Sequence, residues 1–165
     1  MNRMYIAVAG ALLLASGVAT ANPDTKTGYI GWGPRGGLTF NPDQVHVGAH
    51  LDLGNFAGHV RLQPNLEIGF GDDLTAATAN LEVAYRIGNR WTEWTPFLGA
   101  GPSFAYYRMD SDGDDDSESG TGFNLIAGLD KGFSNGDRFF LESTFGLGDV
   151  PDLKLSVGWT FFPGD

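Results

Sequence analysis

The chain has 165 residues, enough for one domain, and carries 20 acidic against 10 basic residues for a formal net charge of −10. That balance excludes nucleic acid as a partner, because its phosphates would repel the protein. The absence of cysteine excludes a disulfide framework, a thiol nucleophile and a thiolate metal site, and the 25 glycines show no collagen-like period.

The first element is MNRMYIAVAGALLLASGVATA, residues 1–21. Arg3, the apolar run from Ile6 to Ala15 and the closing Ala19-Thr20-Ala21 read as a secretory signal peptide with its cleavage site. The run is too short to cross a bilayer as a helix, which takes about 20 residues, and no later stretch is long enough. The mature domain is then 22–165, with nine basic residues left against 20 acidic ones.

From there apolar alternation recurs between short turn signals. Eight strands are expected, at about 29–40, 44–53, 59–70, 74–87, 95–109, 121–133, 138–147 and 152–162. Gly71-Asp72-Asp73, Gly88-Asn89-Arg90 and Ser134-Asn135-Gly136-Asp137 supply hairpin turns. No helical period appears, so the expected fold is all-β: an eight-stranded antiparallel up-and-down meander closed into a barrel. Closure pairs the first strand with the last and removes both edges. Pro34, Pro64 and Pro102 fall inside expected strands, and each is expected at a bulge or bend.

The alternation separates two faces. Val45, Val47, Ala49, Leu51 and Leu53 oppose His46, Gly48, His50 and Asp52, while Leu153, Leu155, Val157, Trp159 and Phe161 oppose Lys154, Ser156, Gly158 and Thr160. A soluble barrel turns the greasy face inward, and a membrane barrel turns it to lipid. Glycine decides between them. Gly48, Gly69, Gly99, Gly101, Gly128, Gly146 and Gly158 all fall on the polar faces, where a solvated surface gains nothing from them and a narrow lumen needs them. The polar faces also carry sparse ions of both signs, His46, His50, Asp52, Arg61, Glu67, Glu82, Arg86, Asp130, Glu142 and Lys154, read here as a lumen polar network. Strands of about 9–11 tilted residues span a bilayer. Aromatics gather at strand ends: Trp91, Trp94, Phe133, Phe139, Trp159, Phe161 and Phe162 at one rim, Phe40, Phe70, Tyr106 and Tyr107 at the other. The greasy face is therefore expected to meet lipid.

The leader, the eight amphipathic strands and the final LKLSVGWTFF resemble the small outer-membrane β-barrel proteins of diderm bacteria, the broad group of OmpA-like, OmpX-like and OmpW-like barrels. The resemblance covers the mature chain and lies in pattern. It implies residence in the bacterial outer membrane, contact with outer-membrane lipid, and a last strand read by the barrel-insertion machinery, with Gly158, Trp159 and Phe161 as that assembly signal. The family's strand usually ends on the aromatic, whereas here Pro163-Gly164-Asp165 follow. With termini on the periplasmic side, the longest connection, DSDGDDDSESG at 110–120, is expected to be an extracellular loop.

Candidate chemistry is sparse. Asp110, Asp112, Asp114 and Asp116 form the core of an acidic cluster whose oxygens could hold Ca²⁺ weakly. The spacing fails the EF-hand pattern, since Asp115 and Thr121 occupy the positions of the glycine and the late glutamate, and the plainer reading is a solvated, self-repelling loop. His46 and His50 lie roughly 13 Å apart on a strand, too far to share a metal, and His50 with Asp52 lacks a third ligand. Ser103 and Ser143 have no histidine near them in sequence, so no nucleophile motif and no cofactor is expected. The expected function is a monomeric, integral outer-membrane barrel with a structural or surface-exposed role, a side-chain-filled lumen and no large pore. The second reading is a soluble periplasmic barrel for a hydrophobic ligand, and the third an outer-membrane lipid-modifying enzyme.

Overall fold

The structure is a computed structural model that describes residues 27–72, 74–88, 93–111 and 114–163, with the side chains of residues 27, 110, 111, 114 and 115 left aside. The expected signal peptide lies outside these residues. Eight antiparallel strands follow in order: β1 (Thr27–Phe40), β2 (Gln44–Ala57), β3 (Val60–Gly71), β4 (Leu74–Arg86), β5 (Thr95–Ser111), β6 (Asp114–Gly132), β7 (Arg138–Gly148) and β8 (Leu153–Thr160). Each pairs with its sequence neighbours and β1 closes on β8, so the sheet is a closed meander barrel. Short turns make this register cheap to close. Gly58 and Gly136 hold φ of 56° and 94°, a region that suits a residue without Cβ. Around Gly136 the Asn135 side chain accepts from the Asp137 amide at 3.1 Å.

The sheet is inside out. Along β2 the residues that alternate outward are Val45, Val47 and Leu51, and Leu66 on β3 is 67% exposed. The residues between them, His46, His50, Asp52, Arg61, Gln63, Asn65 and Glu67, are buried. In water such an outer wall would cost about 25 cal/mol for each Å² of apolar surface left wet. In hydrocarbon it costs nothing, and the polar faces are sheltered within. Among the described residues no helix is long and apolar enough to cross a membrane, so the spanning elements are the strands.

The expectations for the acidic segment and for the prolines are corrected. The acidic segment is mostly strand: β5 runs to Ser111, β6 starts at Asp114, and the two stay paired as a ribbon, with Tyr106 opposite Ser119, Asp110 opposite Asp115 and Ser111 opposite Asp114. The β4 ladder stops at Leu74↔Met109 and the β7 ladder at Gly148↔Gly122, so the ribbon stands beyond its neighbours. The longest connection is instead residues 87–94, at the end that carries the termini. Of the three prolines, only Pro64 adjoins a register shift, in the β2–β3 ladder between His50 and Asn55. Pro34 sits where the β1–β8 ladder skips from Trp32↔Phe161 to Arg35↔Gly158, and Pro102 where β4–β5 skips from Asn80↔Ser103 to Val83↔Ala100. The register is unchanged across both gaps. A strand residue donates its N–H to one side only, so each proline costs rungs on one flank while Pro34↔Ala49 and Pro102↔Phe123 hold the other.

Aromatic rings cluster at the terminal end. Phe133 stacks on Trp159 at 4.7 Å between centroids, Phe139 packs on Trp159 and Trp94, and Trp32 meets Phe161. Trp91 lies outside the described residues. Phe40, Phe70 and Tyr106 are exposed at the far end. Tyr107 differs from the expectation, because it alternates with Tyr106 and is half-buried on the inner side. On the same terminal rim, the hydrogen bond and charge of Lys131, 2.5 Å away, hold the Glu93 carboxyl below its ordinary pKa.

Candidate functional site: the polar lumen

The inner wall is built from complementary sizes. Phe97 faces Gly128 across the β5–β6 ladder, and Phe140 faces Gly158 across β7–β8. Both rings are essentially inaccessible, and a Cβ built on either glycine would overlap the ring opposite. Gly158→Val should therefore overpack the lumen and destabilise the barrel by about 1–3 kcal/mol. Adding Phe140→Leu should recover part of that loss in denaturant titrations, whereas equal stability of all three proteins would count against the size match.

Above these rings, toward the far end, Arg35 of β1 is the hub. Its Nε, Nη1 and Nη2 lie 2.8, 3.2 and 2.5 Å from carboxylate oxygens of Glu67, Glu82 and Glu142, on β3, β4 and β7. Lys154 of β8 takes the second oxygen of Glu67 at 2.5 Å. Neutral donors share oxygens already engaged, and Glu142 Oε2 is left without a hydrogen-bond partner. Asn65 donates to Glu82, Thr78 to Glu67 and Thr144 to Glu142, and Asn80 bridges Asn65, Ser103 and Asn124. The flat guanidinium suits this position because it offers five fixed donors and remains charged in a dry site.

Toward the terminal end, Arg86 grips Asp130 with two bonds of 2.8 and 2.6 Å, and Arg138 donates to Asp52 at 2.8 Å. Asp52 also accepts from the Gly54 amide. Arg61 stacks on Phe97 with its guanidinium carbon 5.1 Å from the ring centre, and among the described residues its closest carboxylate oxygen, on Asp130, is 3.8 Å away.

The structure thus sets His46, His50, Asp52, Arg61, Glu67, Glu82, Arg86, Asp130, Glu142 and Lys154 along one inner face, and it brings the eight that are not histidine into two ion-pair clusters. The histidines are held by hydroxyls: His46 lies 2.9 Å from Thr39 and 3.0 Å from Ser156, and His50 lies 2.8 Å from Thr160. His50 and Asp52 do not pair; the latter belongs to Arg138. The His46–Ser156 contact has the length of a base and nucleophile, but its third member is a threonine hydroxyl in place of a carboxylate, and both residues are sealed in the wall. Of the acidic set, Asp112 lies outside the described residues, as do the side chains of Asp110 and Asp114, and the backbone register puts Asp116 opposite Met109. Among the described residues no group of three or more His, Asp or Glu could hold a metal. Gly158 lies on the inner wall, while Trp159 and Phe161 alternate outward at the terminal rim. Sequence reasoning missed Arg35, Arg138 and Phe97, and it set Phe140 on the face of Glu142 and Gly146 without a role.

A closed, eight-stranded meander with a charge-paired interior and an apolar exterior is an integral membrane β-barrel. The chain belongs to the outer membrane protein beta-barrel domain family, whose profile matches residues 3–161. Its fold is similar to the N-terminal β-barrel domain of Pseudomonas aeruginosa OprF, at 18% identity and a TM-score of 0.62, covering 82% of this chain and 98% of that one. It is also similar to Neisserial surface protein A, at 11% identity and a TM-score of 0.63, covering 81% of this chain and 96% of that one. No curated protein matches the chain in sequence.

Proposed function

We propose that this integral outer-membrane barrel serves as a closed structural and surface element of the bacterial envelope, working neither as a general pore nor as an enzyme. The observation that carries this reading is the Arg35 hub. It ties β1 to β3, β4 and β7 across the lumen with all four side chains buried, which supports a filled interior. The chain reaches the membrane by way of its N-terminal leader. It is inserted by machinery that reads Gly158, Trp159 and Phe161, and it stands there as a monomer with its terminal end toward the periplasm. The acidic β5–β6 ribbon then faces the cell exterior.

Outer-membrane fractions run on gels with and without boiling test the barrel in its membrane, and faster migration of the unboiled band is expected. Planar-bilayer recordings of the purified protein test closure. Little or no stable conductance is expected, and a large steady conductance would overturn the reading.

A further inference from the structure

The two lumen clusters are unequal in charge. At the far end, Arg35 and Lys154 face three carboxylates. At the terminal end, Arg61, Arg86 and Arg138 share two, Asp52 and Asp130, among the described residues. Both of these carboxylates are already engaged. Asp130 gives its two oxygens to the fork of Arg86, and Asp52 divides its own between Arg138 and the Gly54 amide.

Arg61 is left over. It is 1% exposed, and its Nε and Nη1 have no hydrogen-bond partner. The neighbouring inward residue on β3, Gln63, is as deeply buried, and neither atom of its amide is partnered. Buried guanidinium groups are ordinarily satisfied, because a stranded one costs several kcal/mol. The side chains of Arg86 and Arg138 are 28% and 15% exposed, so the cluster opens to the aqueous mouth that Phe162 flanks beneath Arg138.

We propose that this mouth is a binding site for an oxyanion of the phosphate class, held between Arg61, Arg86 and Arg138 with the Gln63 amide as a further donor. Such an anion supplies the acceptors that Arg61 lacks and offsets the surplus cation, and guanidinium forks match its geometry. The chain's net charge of −10 works against anion approach, so the affinity belongs to the local cluster and falls with added salt. The anion comes either from free phosphate or from the headgroup of an anionic lipid at the inner leaflet.

The test uses the full chain refolded in zwitterionic detergent, with inorganic phosphate as probe and phosphorus NMR as readout. Saturable binding is expected, weakened about tenfold or more in Arg61→Gln, as the loss of one charge-assisted hydrogen bond implies. Arg138→Gln should weaken it similarly, which keeps the test alive if one variant fails to give the fast-migrating folded band. Lys131→Gln, which removes a charge from the same rim, should leave binding unchanged. Repeating the titration in phosphatidylcholine vesicles with and without phosphatidylglycerol separates the sources. Loss of phosphate binding in the anionic vesicles assigns the site to a headgroup, and equal binding assigns it to free phosphate. Absence of saturable binding in the unaltered protein, or equal binding in the folded Arg61→Gln and Arg138→Gln variants, would overturn the proposal.

Discussion

Arg35→Met should destabilise the barrel by about 3–5 kcal/mol, the usual consequence of removing one member from a buried ionic cluster. Methionine matches the length of the arginine stem but offers nothing to the carboxylates. Glu67 would keep Lys154, whereas Glu82 and Glu142 would be left with single neutral donors, Asn65 and Thr144. The loss comes from stranded charge more than from the worth of the pairs themselves. The triple variant Arg35→Met, Glu82→Gln, Glu142→Gln should therefore recover much of it. Arg35→Lys should fall between, because an ammonium is a point charge and cannot reach three carboxylates on three strands. Urea unfolding in detergent micelles reads all three. A single Arg35→Met variant as stable as the parent protein would show that the hub holds nothing together.

The second large effect belongs to the opposite face. Leu125 lies near the middle of β6, flanked outward by Ala100 and Phe145, and is 46% exposed. Arginine there should cost about 2–4 kcal/mol in phosphatidylcholine vesicles, since the charge would sit near the bilayer midplane. The same substitution at Ser119, exposed on β6 beyond the last rung of the β7 ladder, should change stability by no more than about 0.5 kcal/mol. If both positions tolerated arginine equally, the outer wall would not be the lipid-facing one.

The fold was largely legible because a period of two survives in most strands. Outward Val45, Val47 and Leu51 and inward His46, His50 and Asp52 need no tertiary information to sort. The glycines then told which side was crowded. Strand β1 hid its most consequential residue. Its inner positions are Gly31, Gly33, Arg35, Gly37 and Thr39, and Pro34 interrupts the reading, so no clear polar face stands out. Counting back in twos from the outward Leu38 would have put Arg35 inside. The roles of Phe97 and Phe140 were missed for a different reason: as apolar residues on a polar face they look like noise until the register places Gly128 and Gly158 against them. The acidic ribbon reads as a loop in the sequence because its charge density masks its pairing. Cross-strand register, which joins Asp110 to Asp115, is set by the continuation of a ladder begun much deeper in the barrel.

The hub also fixes an order of events during assembly. Arg35 rides on β1, while Glu67, Glu82 and Glu142 ride on β3, β4 and β7. While the seam between the first and last strands is open, Arg35 stays on the same side as Glu67 and Glu82, joined to them through β2, whereas Glu142 and Lys154 lie on the other side. The Arg35–Glu142 and Lys154–Glu67 pairs form only when the seam shuts, one reaching across from each side. A half-closed barrel gains little over an open one, so the final docking of β1 on β8 is a cooperative step with no comfortable halting point before it.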